Sequence, residues 1–191
     1  QLRLARIVAS SSWHSMAFTT ASSSPSLFSY SPAPISNCFV PMKERERLQR
    51  WINAAPTGPV VGVIGRPGVG KTTLASSLAH EQAAISNVRV IFAHCRDRRL
   101  EAIAQECIHA VAPEMPLFAG TDVFRAFRET FTAAPAVVVL DDLTDHHRVA
   151  QLASPNTVIL VTSREPLRVP SVELREWSQA DAMAFVAARG G

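Results

Sequence analysis

Apolar residues fall along the chain in short dense runs, separated by stretches in which they recur every three or four positions. PVVGVIG (59–65), VRVIFAHC (88–95), AVVVLDD (136–142) and NTVILVTSR (156–164) are the dense runs, whose β-branched content suits a pleated surface, and SVELREW (171–177) is a fifth strand candidate. AVVVL and VILV are apolar at every position, so they belong in a sheet covered on both faces. Helical spacing predicts helices from Lys71 to about Ala84, through EAIAQECIHAVA (101–112) and over 121–134, the last with Thr121 or Asp122 as its cap. A short entry helix in FVPMKERERLQRWI (39–52) puts Leu48, Trp51 and Ile52 on one face, and Ser178 caps a closing helix over 179–189 that stops at Gly190-Gly191. Five strands alternating with helices predict an α/β fold, a doubly wound five-stranded parallel sheet in which ligands bind beyond the carboxyl ends of the strands.

Residues 1–38 do not share this periodicity. Ser10 to Pro41 is rich in Ser and carries Pro25, Pro32, Pro34 and Pro41, a composition that predicts a disordered tail or linker. Its stretch from Met16 is Ser/Thr-rich and free of acid, as an organelle transit segment is, but has no Arg-bearing amphipathic face. The expected organisation is therefore a tail over 1–38 and one domain over 39–191, with a cytoplasmic location. From the opening Gln, the native start is expected outside the chain.

Charge and cysteine content narrow the class. The net charge of +3 arises from Arg3, Arg6 and Lys43, while the remaining 16 basic residues balance 16 acidic ones. No basic stripe runs along a predicted element, which argues against a nucleic-acid partner. Cys38, Cys95 and Cys107 form no C-x-x-C pair and read as plain thiols in a reducing compartment. No apolar run approaches the roughly 20 residues needed to span a bilayer.

GRPGVGKTTLA (65–75) fits G-x-x-x-x-G-K-[ST] between a predicted strand and a predicted helix, the context that pattern requires. Gly65, Gly68 and Gly70 permit backbone angles that let consecutive N–H groups face phosphate oxygens, and the following helix adds its positive dipole end. Gly65, Arg66, Pro67, Gly68, Val69, Gly70, Lys71, Thr72 and Thr73 form the candidate nucleotide-binding set. Lys71 is placed to reach the β- and γ-phosphates, and the Thr72 hydroxyl to ligate Mg²⁺. At the end of an apolar strand, Asp141 is the candidate second Mg²⁺ ligand and Asp142 the residue that orients or deprotonates an attacking water. TVILVTSRE delivers Thr162, Ser163 and Arg164 to the same sheet edge, where a guanidinium can sense a γ-phosphate. Lys71, Asp142 and Arg164 are thus the candidate catalytic residues. His146 and His147 are adjacent and suit a turn better than a metal site; Arg96, Arg98 and Arg99 read as a solvated patch at a helix start.

These residues resemble the nucleotide-binding domain of the NB-ARC (AP-ATPase) family, in the STAND class of RecA/ASCE-like P-loop NTPases, over about residues 39–189. GRPGVGKTTLA is similar to the family's P-loop, VVVLDDL to its Walker B segment, VILVTSRE to its sensor strand and VELREWSQADAMAFVAARG to its closing stretch. FVPMKERERLQRWI is similar to the segment that packs near the adenine, which makes Val40 a candidate base contact, although Pro41 and Met42 stand where the family has Gly-Arg. The resemblance implies an ADP/ATP switch in immune or apoptosis-type signalling, with slow hydrolysis and oligomerisation in the ATP state. It also implies helical-lid, winged-helix, sensor and effector regions beyond these residues. The alternative on the same sheet is a catalyst, an AAA-type ATPase or a small-molecule kinase, for which PEMPLFAG (113–120) is the one candidate lid. A GTPase is disfavoured by the lack of an Asn-Lys-x-Asp motif.

Overall fold

A computed structural model describes residues 42–55, 58–179, 182–183 and 186–187. The tail, Cys38, Val40 and Pro41 lie outside those residues, as does most of the closing helix. Residues 182–183 and 186–187 are helical, and the Ala182 N–H donates to Ser178 O at 3.0 Å.

The five strand candidates all form strands: β1 (Val60–Gly65), β2 (Arg89–His94), β3 (Ala136–Asp141), β4 (Val158–Ser163) and β5 (Ser171–Leu174). They assemble in the order β2-β3-β4-β1-β5, with every pairing parallel. Among the described residues, α1 (Met42–Ala54) precedes β1, α2 (Lys71–Ser86) joins β1 to β2, and α3 (Leu100–Val111) and α4 (Val123–Ala133) together join β2 to β3. This is a five-stranded parallel sheet of the P-loop NTPase type.

Alternation along the strands divides the core in two. Val138, Leu140, Ile159 and Val161 pack with Ile103, Phe127 and Phe131 from α3 and α4. Val137, Val139 and Leu160 pack on the opposite face with Leu48 of α1 and with Leu74, Ala75 and Leu78 of α2. All six residues of β3 are buried, which explains why AVVVL carries no polar alternation: neither of its faces meets water.

Local chemistry sets the helix ends. Asp122 caps α4, its Oδ1 accepting from the Phe124 and Arg125 N–H groups at 3.1 Å each. Arg99 makes no side-chain cap at α3; Asp145, 45 residues onward, accepts from the Leu100 N–H at 3.1 Å instead. A 3₁₀ helix at Val149–Leu152 was not anticipated, since four residues cannot display a helical period.

Candidate functional site

Strand parity builds the site. Asp141 follows Val137 and Val139 on the face that meets α2, and Thr162 follows Leu160 on the same face. Both therefore arrive at the amino end of α2, where Gly70 turns the chain with φ +94° and the helix begins at Lys71. Thr72 Oγ1 donates to Asp141 Oδ1 at 2.6 Å. Thr162 Oγ1 donates to that same oxygen at 2.8 Å and accepts from the Asp142 N–H at 2.8 Å. One fully buried hydroxyl thus fixes both aspartates: it holds the carboxylate of the first and the backbone of the second.

The loop over 65–70 closes on itself. Lys71 Nζ donates to Gly65 O at 2.9 Å and to Arg66 O at 2.8 Å. Burial pulls its pKa below the ordinary lysine value, with the charges of Asp142 and then Asp141 acting in the opposite direction. A Cβ on Gly65 would sit 2.4 Å from Leu174 O, at φ +150°, so this position needs a glycine for close approach of β5 as well as for backbone conformation.

Asp142 stands just past β3 in the left-handed region, at φ +57°. Two guanidiniums clasp its carboxylate. Arg164 binds it bidentately, Nε to Oδ1 at 3.0 Å and Nη2 to Oδ2 at 2.9 Å, while Arg96 Nε donates to Oδ2 at 2.7 Å. His94 Nδ1 lies 3.5 Å from Asp141 Oδ2. The site therefore gathers Lys71, Thr72, Asp141, Asp142, Thr162 and Arg164, all anticipated from the sequence, at the carboxyl ends of neighbouring strands. Arg96 corrects the expectation of a solvated arginine patch: it is a partner of Asp142. Arg98 instead turns to His94 O at 3.1 Å and to Glu106. The missing signal was strand order, since only the pairing of His94 with Asp141 across β2 and β3 brings the residues after β2 to those after β3.

The donor set suits a hard divalent cation. Thr72 and Asp141 offer a hydroxyl and a carboxylate oxygen side by side, the sparse protein contribution that Mg²⁺ accepts while phosphate and water complete its shell. Among the described residues no group of three or more His, Cys, Asp or Glu side chains offers a denser metal site. His146, instead, is buried and its Nδ1 lies 2.9 Å from Thr144 O. Beside the loop, a cleft of about 380 Å³ is lined by Arg66, Val69 and residues 173–176. A second, of about 420 Å³, runs on to Lys43, Glu44 and Arg47 of α1. Arg66 spans the first to reach Glu176 at 3.2 Å.

The buried cysteines lie apart from this chemistry. Burial pushes the Cys107 thiol up to about 12 and raises that of Cys95 further, so both stay protonated and inert. No helix among the described residues is long and apolar enough to cross a membrane.

Comparison with known proteins agrees with this architecture. No curated protein matches the chain. Among solved structures, Cdc6p from Pyrobaculum aerophilum superposes with a TM-score of 0.59 at 14% identity, covering 84% of this chain and 51% of that one. A DNA replication initiation factor matches at 0.43 and 16% identity, over 80% of this chain and 52% of that one. AMPPCP-bound DnaA from Aquifex aeolicus matches at 0.42 and 16%, over 75% and 48%. At these identities the Cdc6p likeness speaks for the fold alone, and the other two superpositions are too loose to argue from. The chain spans about half the length of each of these structures. The family model for the ATPase family associated with various cellular activities (AAA) matches residues 61–158. That match covers more than half of the 191 residues and runs from the first strand, through the glycine loop and both aspartates, to the fourth strand: the chain belongs to the AAA family.

Proposed function

We propose that this AAA-family domain binds ADP and ATP with Mg²⁺ and acts as a nucleotide-dependent switch of the NB-ARC type, hydrolysing ATP slowly to reset. The observation that carries the reading is the Arg164–Asp142 pair, poised over the Thr72–Asp141 contact. A ligand shifts a conformational equilibrium only through its differential affinity for the two states, and a guanidinium already committed to a carboxylate gives a terminal phosphate something to compete for.

In this reading the loop amides over 65–70, with Thr73 and the amino end of α2 behind them, cradle the phosphates. Lys71 exchanges its bonds to Gly65 O and Arg66 O for phosphate oxygens. Thr72 and Asp141 hold Mg²⁺, which when bound supplies charge neutralisation along the phosphates. Asp142 orients the attacking water, but its two oxygens already accept three N–H bonds, and this favours slow turnover. The clefts between β5, the loop and α1 are the space for the adenine, and Val40 is the proposed base contact. Residues 1–38 are a tail or linker beside the domain over 39–191, and lid, winged-helix, sensor and effector regions complete a cytoplasmic signalling protein of the immune or apoptosis type that oligomerises when ATP-bound.

A second reading is favoured by the AAA match itself: a catalytic AAA-type ATPase on the same sheet. Calorimetric titration with ADP, ATP and GTP, with and without Mg²⁺ and with Lys71→Ala as control, tests the nucleotide site. The switch predicts adenine preference, tight ADP binding lost in the variant, and turnover well below about one per minute. Turnover of about 1 to 100 per second, the range of dedicated phosphoryl-transfer enzymes, would favour the catalyst. Absence of any binding by the wild type would reject both.

A further inference from the structure

The second guanidinium on Asp142 has no part in the scheme above. Arg96 reaches the carboxylate from β2, on the far side from Arg164, and shares Oδ2 with it; Oδ1 accepts from Arg164 alone. The two arginines are rooted differently. The Cys95 N–H continues the sheet ladder to Asp141 O at 2.8 Å, and the Arg98 N–H closes a turn on Cys95 O at 3.1 Å, so the backbone before Arg96 is held against β3 and the backbone after it is closed into a turn. Arg164 lies in a bend past the last ladder pairing of β4.

We infer that Arg96 is a positioning residue that keeps the Asp142 carboxylate neutralised when Arg164 is drawn to the terminal phosphate of a bound triphosphate, and so sets how strongly the site distinguishes triphosphate from diphosphate. The inference rests on the nucleotide reading above. Its physical basis is electrostatic compensation. If Arg164 leaves, Oδ2 still accepts from Arg96, and the carboxylate is not stranded beside an incoming polyanion. If Arg96 is absent, Arg164 is the only guanidinium on Asp142, and its release exposes a bare negative charge to the phosphate. Arg96 thereby acts through Asp142 and touches no ligand itself. The side chains are partly open, at 59% for Arg96, 45% for Arg164 and 22% for Asp142, so the expected effect has the size of a partly exposed ion pair, about two- to fivefold in affinity.

The test is a double-mutant cycle on the 191-residue chain, titrated with Mg²⁺ and the slowly hydrolysed analogue ATPγS, and separately with ADP. Arg96→Ala should weaken ATPγS about two- to fivefold while leaving ADP affinity unchanged. Arg96→Lys should restore most of the loss, because a charge and not a shape is required. Combining Arg96→Ala with Arg164→Ala should bind ATPγS about two- to fivefold more weakly than Arg164→Ala alone, because no guanidinium then neutralises Asp142 beside the phosphate. Equal weakening of ATPγS and ADP, no further loss in the double variant beyond Arg164→Ala, or no change in Arg96→Ala would each overturn the inference and leave the nucleotide site standing. A wild type that binds neither ligand overturns the nucleotide reading, and the inference with it.

Discussion

Thr162 offers the most searching test of how the site is held. Its side chain is fully buried, and its one hydroxyl donates to Asp141 Oδ1 and accepts from the Asp142 N–H, both at 2.8 Å. Thr162→Val keeps the shape and removes both bonds. A hydrogen bond to a charged group contributes about 1.5–3 kcal/mol, and a buried donor left without a partner costs about 1–3 kcal/mol. Two offsets reduce the sum: Thr72 still donates to Asp141, and the new methyl gains up to about 0.8 kcal/mol of burial. The net expectation is a loss of about 2–4 kcal/mol, or roughly 5 to 15 °C in Tm for a domain of this size. Urea unfolding followed by circular dichroism, with Thr162→Ser as the control that keeps the hydroxyl, measures it. A loss below about 1 kcal/mol with an unchanged m-value, or a serine variant as damaged as the valine one, would refute the claim that this hydroxyl organises both aspartates.

Gly65→Ala should destabilise the fold by about 1–3 kcal/mol, because its Cβ would meet Leu174 O at 2.4 Å in a backbone conformation that alanine disfavours; an unchanged urea midpoint would contradict the close approach of β5. Asp122→Ala should cost about 1 kcal/mol by removing the α4 cap, and Asp122→Asn should recover most of it in the same assay. Cys107 gives a pH dependence whose sign is fixed by its raised thiol. From the ordinary value of 9 up to about 12, the unfolded chain loses this proton and the folded one keeps it. Its contribution is therefore complete below pH 9 and is lost as pH rises towards 12, at about 1.4 kcal/mol per pH unit. Relative to Cys107→Ala, the wild type should lose stability over that window; parallel profiles would show that burial does not hold the thiol protonated.

What could be read from the sequence follows the range of the interaction that determines it. β3 and β4 were legible because four or five consecutive apolar, largely β-branched residues between turn-forming ones suit a buried strand and little else, and the Asp122 cap because an N-cap acts over three residues. The loop from Gly65 to Thr72 was legible because its chemistry is contiguous. The α3 cap was not, because Asp145 supplies it from 45 residues away. Val149–Leu152 was not, because four residues carry no period. Arg96 was misread for the same reason as the α3 cap. Next to Asp97, Arg98 and Arg99 it resembles solvated charge, and only the adjacency of β2 and β3 turns it towards Asp142.

The resting arrangement of charge explains why such a residue has a place in the site. Lys71, Arg96 and Arg164 exceed Asp141 and Asp142 by one positive charge. The positive groups satisfy themselves locally: the lysine on two loop carbonyls, the arginines on one carboxylate. Each of these contacts is a polyanion's competitor, and each is also a partner that a departing group leaves behind. Lys71 leaves carbonyls, which are neutral, whereas Arg164 leaves a carboxylate. Compensation is thus needed at Asp142 and not at Gly65 or Arg66, and Asp142 is where the structure has a second guanidinium.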